Sequence, residues 1–169
     1  MSEFVEDDIF LPDGRLRLEQ YDDTARAALQ AATGLARDTR WDNVRSPHVF
    51  MGLLACPDQH IANWGERLGA DLANVLALFQ ELFHRGANEP EAYIALHREF
   101  LSDNVLRLLR DAHQRALGYQ REQVSSMDIL ICMLTAPNNV VTECFERMKQ
   151  PITAAKLTEL AVMAEQQGA

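Results

Sequence analysis

Ser46-Pro47-His48-Val49-Phe50-Met51-Gly52-Leu53-Leu54 is answered 80 positions later by Ser126-Met127-Asp128-Ile129-Leu130-Ile131-Cys132-Met133-Leu134. The offset reaches well beyond this pair. Val44 matches Val124, Pro57 matches Pro137, Ile61 falls on Val141 and Leu68 on Met148. Upstream, Ala25, Ala28, Leu29, Ala32 and Ala36 fall on Val105, Leu108, Leu109, Ala112 and Ala116. Apolar residues at i, i+3, i+4, i+7 and i+11 describe one buried helix stripe. That stripe is written twice, so the chain is a duplicated helical unit.

A capped amphipathic helix comes first in each copy. A Ser before a short apolar helix follows, reading roughly H-x-x-x-G-L-L in the first copy, and then a Pro/Asp turn and a further helix. Present twice and in phase over residues 21 to 167, this pattern resembles the double Clp N-terminal domain that precedes the rings of Clp-type AAA+ unfoldases. The resemblance implies an all-α fold of two tandem four-helix repeats related by a pseudo-two-fold axis. It also implies a non-enzymatic module that recognises substrates, adaptors or peptide helices for an AAA+ ATPase. One branch of such ATPases dismantles type VI secretion sheaths. Relatives commonly carry His where His48 stands and Glu just before it; here Pro47 and Met127 precede His48 and Asp128. Acidic contacts are therefore not carried over to those positions.

The divisions expected from the pattern are a leader and arm at 1–20, repeat one at 21–85, a linker at 86–100 and repeat two at 101–169. The first eight residues are acidic and contain no Lys or Arg. Asp13-Gly14 is a favoured hairpin turn, and Arg15 to Leu18 alternates polar and apolar, so a small β-hairpin or extended arm is expected. Asp22 or Thr24 caps the first helix, Ser46 the second with Pro47 at its first position, Asp58 the third and Asp71 the fourth. Ser102 and Ser126 cap their counterparts, and Pro151 introduces the last helix. Residues 90–100 read equally as a short helix or an extended linker.

Composition limits the chemistry. The chain of 169 residues is 47% apolar with a net charge of −9, which disfavours nucleic acid, because phosphate binding needs clustered cations. No secretory signal is visible, and the longest strongly apolar run, Ile129 to Leu134, is far too short to span a bilayer. A cytoplasmic protein without membrane contact is expected. Cys56, Cys132 and Cys144 form no C-x-x-C, and Cys56 and Cys132 lie within or beside apolar helix patterns, where cysteine acts as a small hydrophobe.

Glu81 and His84 form one E-x-x-H pair, whereas a di-iron centre needs two such pairs and further carboxylates. No G-x-x-x-x-G-K-[ST] or G-x-S-x-G is present. No cofactor, metal or catalytic residue is expected. His48 is read as tying a helix start to its preceding loop, and Trp64 as core; Trp41 fits an interface anchor and a packed residue equally well.

Two similar halves side by side create a groove at their junction, suited to the apolar anchors of a peptide or helix. The openings of the two first helices are expected to frame it: Tyr21, Asp22, Asp23 and Arg26 from one repeat, and Leu101, Ser102, Asp103 and Arg107 from the other. A self-associating protein, paired as a homodimer through its N-terminal arm, is the alternative from another class.

Overall fold

The computed structural model describes residues 9–85, 93–148 and 151–167. The expected acidic leader at 1–8 and residues 86–92 of the expected linker lie outside the described residues. Eight helices are described: α1 (Asp23–Asp38), α2 (Ser46–Ala55), α3 (Gln59–Leu68), α4 (Leu72–Leu82), α5 (Asp103–Gly118), α6 (Ser126–Thr135), α7 (Val140–Glu146) and α8 (Ala154–Gln167). No regular strand occurs among the described residues, only isolated bridges. The fold is all-α, as expected.

The helix starts follow side-chain oxygens. Asp22 accepts from the Ala25 N–H at 2.8 Å, Asp58 from Ile61 at 2.8 Å, Asp71 from Ala73 at 3.0 Å and Ser102 from Val105 at 3.3 Å. Two expected caps shift by one residue. Arg45, not Ser46, is the N-cap of α2, and Ser125, not Ser126, is that of α6. The reason is the third helical residue in each case. His48 Nδ1 accepts from the Arg45 N–H at 3.0 Å, and Asp128 accepts from the Ser125 N–H at 2.8 Å. Each side chain reaches back to the residue before the Ser and defines the start there.

The two amphipathic helices α1 and α5 bury the paired stripes, while α2 and α6 are buried on nearly every side and form the centre of the molecule. Gly52 shows why the first copy reads G-L-L. A Cβ there would run into the Ala28 carbonyl oxygen, so α2 lies against α1 closely enough to exclude any side chain. An aromatic cluster joins the halves: the Phe50 ring lies 4.9 Å from Phe79, 5.9 Å from Phe145 and 6.1 Å from Trp64. Trp64 is fully buried and its Nε1–H donates to the Leu157 carbonyl at 3.1 Å, tying α3 to α8.

The pseudo-two-fold relation is written in the backbone. Tyr21 bridges Val124 and Leu101 bridges Val44, both in parallel, and the positions exchange under the 80-residue offset. Asp22 N–H donates to Val124 O at 2.9 Å, and Ser102 N–H to Val44 O at 3.0 Å. The equivalence extends further back than the apolar stripes. The 3₁₀ turn Leu18–Gln20 has its counterpart in Arg98–Phe100. Leu16 N–H donates to Leu96 O at 3.0 Å, and Arg98 N–H to Gly14 O at 2.8 Å, so the two segments preceding the first helices cross on the axis.

The expected hairpin is not formed as a pair of strands. Asp13-Gly14 does turn the chain, with Gly14 at φ 96°, but Phe10 and Leu16 make only an isolated antiparallel bridge. A free two-stranded ribbon is marginal in water. Here Ile9, Phe10 and Leu16 are buried in the core, and Arg15, whose carbonyl accepts from the Leu11 N–H at 2.7 Å, also bridges His97. The described part of the arm is thus bonded within its own chain.

The last helices break the symmetry. Matching the caps Asp71 and Thr153 aligns the buried face of α8, Leu157, Ala161 and Ala164, with Val75, Phe79 and Leu82 of α4. The small alanines let α8 lie along α3, where Ala164 O meets His60 Nδ1 at 3.2 Å. The corresponding α4 residues are bulkier, and the Phe79 ring lies 5.9 Å from Phe145 of α7. Of the α4 side chains only Phe79 is buried, and Leu82, the counterpart of buried Ala164, is 55% exposed.

Candidate partner-binding groove

A groove of about 1140 Å³ lies at the junction of the halves. One wall comes from the loop before α2 and the end of α4, with Trp41, Asn43, Arg45 and Phe83. The other comes from the start of α5 and the turn into α7, including Leu101, Asp103, Arg107, Asp111 and Val140. Met133, Leu108 and His48 lie deeper.

Trp41 organises the first wall. Its Nε1–H donates to the Phe83 carbonyl at 2.6 Å, which joins the loop to the end of α4. The guanidinium carbons of Arg45 and Arg85 lie 4.9 and 4.5 Å from its ring centroid, within cation–π range. His48 meets the ring edge-on at 5.6 Å. The His48 ring is closed on both nitrogens, with Nδ1 accepting from Arg45 N–H and Nε2 at 3.1 Å from Thr39 Oγ1. Burial first, and the Arg45 charge second, push its pKa down from 6.5 to about 4, so it is neutral at pH 7. The second wall carries an alternating pattern of charge. Asp103, Arg107 and Asp111 recur every four residues on one face of α5, and all three are exposed.

The equivalent corner of the second half is built from ions. Asp128 stands where His48 stands in the first, with no exposed side-chain surface. Arg121, the counterpart of Trp41, donates to both its oxygens at 2.6 and 2.7 Å, and Arg115 donates at 2.6 Å. Arg115 also holds Glu165 through two bonds of 2.9 Å, which fastens the end of α8. Burial alone would raise the Asp128 pKa; the bonds from Arg121, the Ser125 N–H and Arg115 together outweigh it and hold the carboxyl below its usual range. The two corners thus solve one geometric problem by aromatic packing and by an ion cluster.

Of the residues expected to frame the groove, Leu101, Ser102, Asp103 and Arg107 line it. Tyr21, Asp22, Asp23 and Arg26 do not; they lie at the equivalent corner beside Val124. The second opening thus borders this groove, and the first lies at the other corner. The parallel bridges are the cause, because each opening is pinned to the opposite half. Tyr21 and Leu101 are buried by this pairing. Asp22 has a raised pKa, chiefly from burial, with the Asp58, Asp128 and Asp23 carboxylates adding to it against the Ala25 N–H. Asp23 pairs with Arg26.

Sequence reading missed Arg45, Phe83, Asp111 and Val140 as groove residues. One signal was available: Leu82 and Phe83 end α4 with two large apolar residues where the aligned end of α8 carries Ala164 and Glu165. Among the described residues, no group of three or more His, Cys, Asp or Glu is placed to hold a metal ion, and no helix is long and apolar enough to cross a membrane.

The Clp repeat (R) N-terminal domain pattern matches residues 20–148. No curated protein matches the chain. Solved structures do. The N-terminal domain of the chaperone ClpD from Arabidopsis thaliana matches with a TM-score of 0.68 at 15% identity, over 89% of this chain and 97% of that one. The Hsp104 N-terminal domain from Candida albicans matches at 0.67 and 14%, over 88% and 92%. A ClpV N-domain in complex with a VipB peptide matches at 0.60 and 18%, over 88% and 89%. With the duplicated helices, the crossed openings and the family pattern over three quarters of its length, the chain belongs to the Clp repeat (R) N-terminal domain family.

Proposed function

We propose that this chain is a non-enzymatic protein-binding module that presents substrates, adaptors or peptide segments to a Clp-type AAA+ unfoldase. The observation that carries this reading is the junction groove. It pairs half-buried aromatic surface, Trp41 and Phe83, with exposed Val140 and a few directional polar groups, the composition expected of a recognition site. One matched relative is a ClpV N-domain holding a VipB peptide, which supports peptide capture as the mode of action. The chain's partners are proteins rather than nucleic acid, given its net charge of −9. Its site of action in this reading is the cytoplasm.

A second reading has a specific observation in its favour. Several of the matched structures are ClpV N-domains, including that of ClpV1 from an E. coli type VI secretion system. Under that reading the ligand is a sheath subunit.

The test places a photo-crosslinking amino acid at Val140, with Tyr119 as an exposed control outside the groove. Crosslinked proteins from the source lysate are identified by mass. A Clp ATPase, its clients or sheath subunits captured from position 140 and not from 119 support the reading. Capture only of the chain itself moves the reading to self-association, and capture equal at both positions overturns the groove.

A further inference from the structure

The outer flank of α4 carries apolar surface that the groove does not use. Leu78 is 37% exposed and Leu82 55%, Val75 is half-buried, and none of the three lines the groove. Their spacing is that of a coiled-coil seam. Asp71, Val75, Leu78, Leu82 and Arg85 step along the chain by four, three, four and three residues. The inward face, centred on buried Phe79, is already packed on the core. So α4 carries a second apolar stripe beside the one it buries.

The equivalent positions of the other half are Thr153, Leu157, Leu160, Ala164 and Gln167 of α8 and its cap. None of these residues is charged, and Leu157 and Ala164 are fully buried within the chain. The uncovered stripe of α4 differs by ending in opposite charges. Asp71 Oδ1 caps the Ala73 N–H and the Arg85 guanidinium rests over the Trp41 ring, so neither meets an opposite charge among the described residues.

Those end charges fit a second copy of the same stripe. A two-fold axis through Leu78 runs one α4 antiparallel to another. Leu78 then meets its own copy, Val75 meets Leu82, and Asp71 of each chain meets Arg85 of the other. The flanking positions agree, since exposed Asn74 faces exposed Glu81 across the seam and its amide can donate to that carboxylate. A parallel pair would instead set Asp71 on Asp71, Glu81 on Glu81 and Arg85 on Arg85, all like charges.

We propose that α4 is a self-association surface, pairing antiparallel with α4 of a second copy of this chain through Val75, Leu78 and Leu82. Asp71 and Arg85 close the two ends. The surface lies apart from the groove, so this inference stands or falls independently of the recognition reading. Two helices of 11 residues cover less than the roughly 1,200 Å² of a standard interface. Copies that each carry a net charge of −9 also repel. The dimer is therefore weak in free solution and gains strength where copies are held close together.

Sedimentation equilibrium of the full chain, up to millimolar concentration in salt that screens the net charge, reads the association. The mass should climb toward that of a dimer and stop there, because a two-fold contact closes on itself. Leu78→Glu, at an exposed position that meets its own copy, should keep the chain monomeric throughout. Asn74→Asp sets a carboxylate opposite Glu81 and should weaken the dimer severalfold; adding Glu81→Lys should restore it. Within one chain these two residues are seven positions and so about 10 Å apart along the helix, which makes the rescue a reading of contact between copies. Circular dichroism of each variant confirms the fold. A monomer at every concentration, a dimer that survives Leu78→Glu, or a double variant weaker than Asn74→Asp alone overturns the inference. The last of these is the result that a parallel pair would give.

Discussion

Lowering the pH from 7 to 5 should destabilise this domain through one side chain. His48 is buried and neutral in the fold, with a pKa pushed from 6.5 to about 4. Between those values the unfolded chain binds a proton that the native state refuses, so stability falls as pH falls. It is highest above the unfolded pKa, and the loss is complete below the folded one. At about 1.4 kcal/mol per pH unit the gap corresponds to a total of about 3 kcal/mol. Roughly 2 kcal/mol of that is lost between pH 7 and 5. Asp22 acts in the opposite sense, since its raised carboxyl pKa favours the fold as pH falls, but a carboxyl contributes mainly below that window. The assay is urea unfolding followed by tryptophan fluorescence at pH 7, 6 and 5, on the natural chain and on His48→Gln. The natural chain should lose about 2 kcal/mol across the range and the variant should be nearly flat. Equal slopes in both, or a flat natural chain, would refute the assignment of His48 as a buried neutral base.

Three further perturbations follow from packing and charge. Gly52→Ala should cost on the order of 1–3 kcal/mol by urea unfolding, since the new methyl meets the Ala28 carbonyl and α2 must move off α1; a neutral effect would contradict the close approach. Asp128→Ala leaves Arg115 and Arg121 facing a buried vacancy and should cost about 3–5 kcal/mol. The same variant should also free the end of α8, seen as faster amide exchange around Glu165. Ala164→Leu should lower stability by roughly 1–3 kcal/mol by wedging α8 off α3, whereas Leu82→Ala at its exposed counterpart should change stability little.

The fold was legible because its main signal is redundant. The stripe of Ala25 through Ala36 repeats at Val105 through Ala116, and the starts of α1, α3, α4, α5, α6 and α7 carry a short polar N-cap. The positions of the caps of α2 and α6 were not legible, because His48 and Asp128 reach back past the serines to an earlier residue. The arm and linker hid a second signal. Leu16 and Glu19 recur as Leu96 and Glu99, and these segments turn out to be the crossing pieces on the symmetry axis. They are too short for a helical or strand period to show in them. The groove was half legible. The Leu101 to Arg107 opening lines it, but the Tyr21 to Arg26 opening is carried to the other corner by a parallel bridge that no local pattern encodes. The halves also differ in side-chain size at their last helices, Phe79 and Leu82 against Ala161 and Ala164. Such a difference is visible only once the two last helices are aligned by their caps.

The central claim is that the open junction, and not its closed counterpart, is where this domain meets its partner. The most direct measurement is amide chemical-shift mapping of the full chain with the partner segment identified by crosslinking at position 140. The account predicts perturbations grouped at residues 43–46, 103–111 and 138–140, with those at 21–26 unchanged. Perturbations confined to residues 21–26 and 124–128, or scattered over both corners, would contradict it.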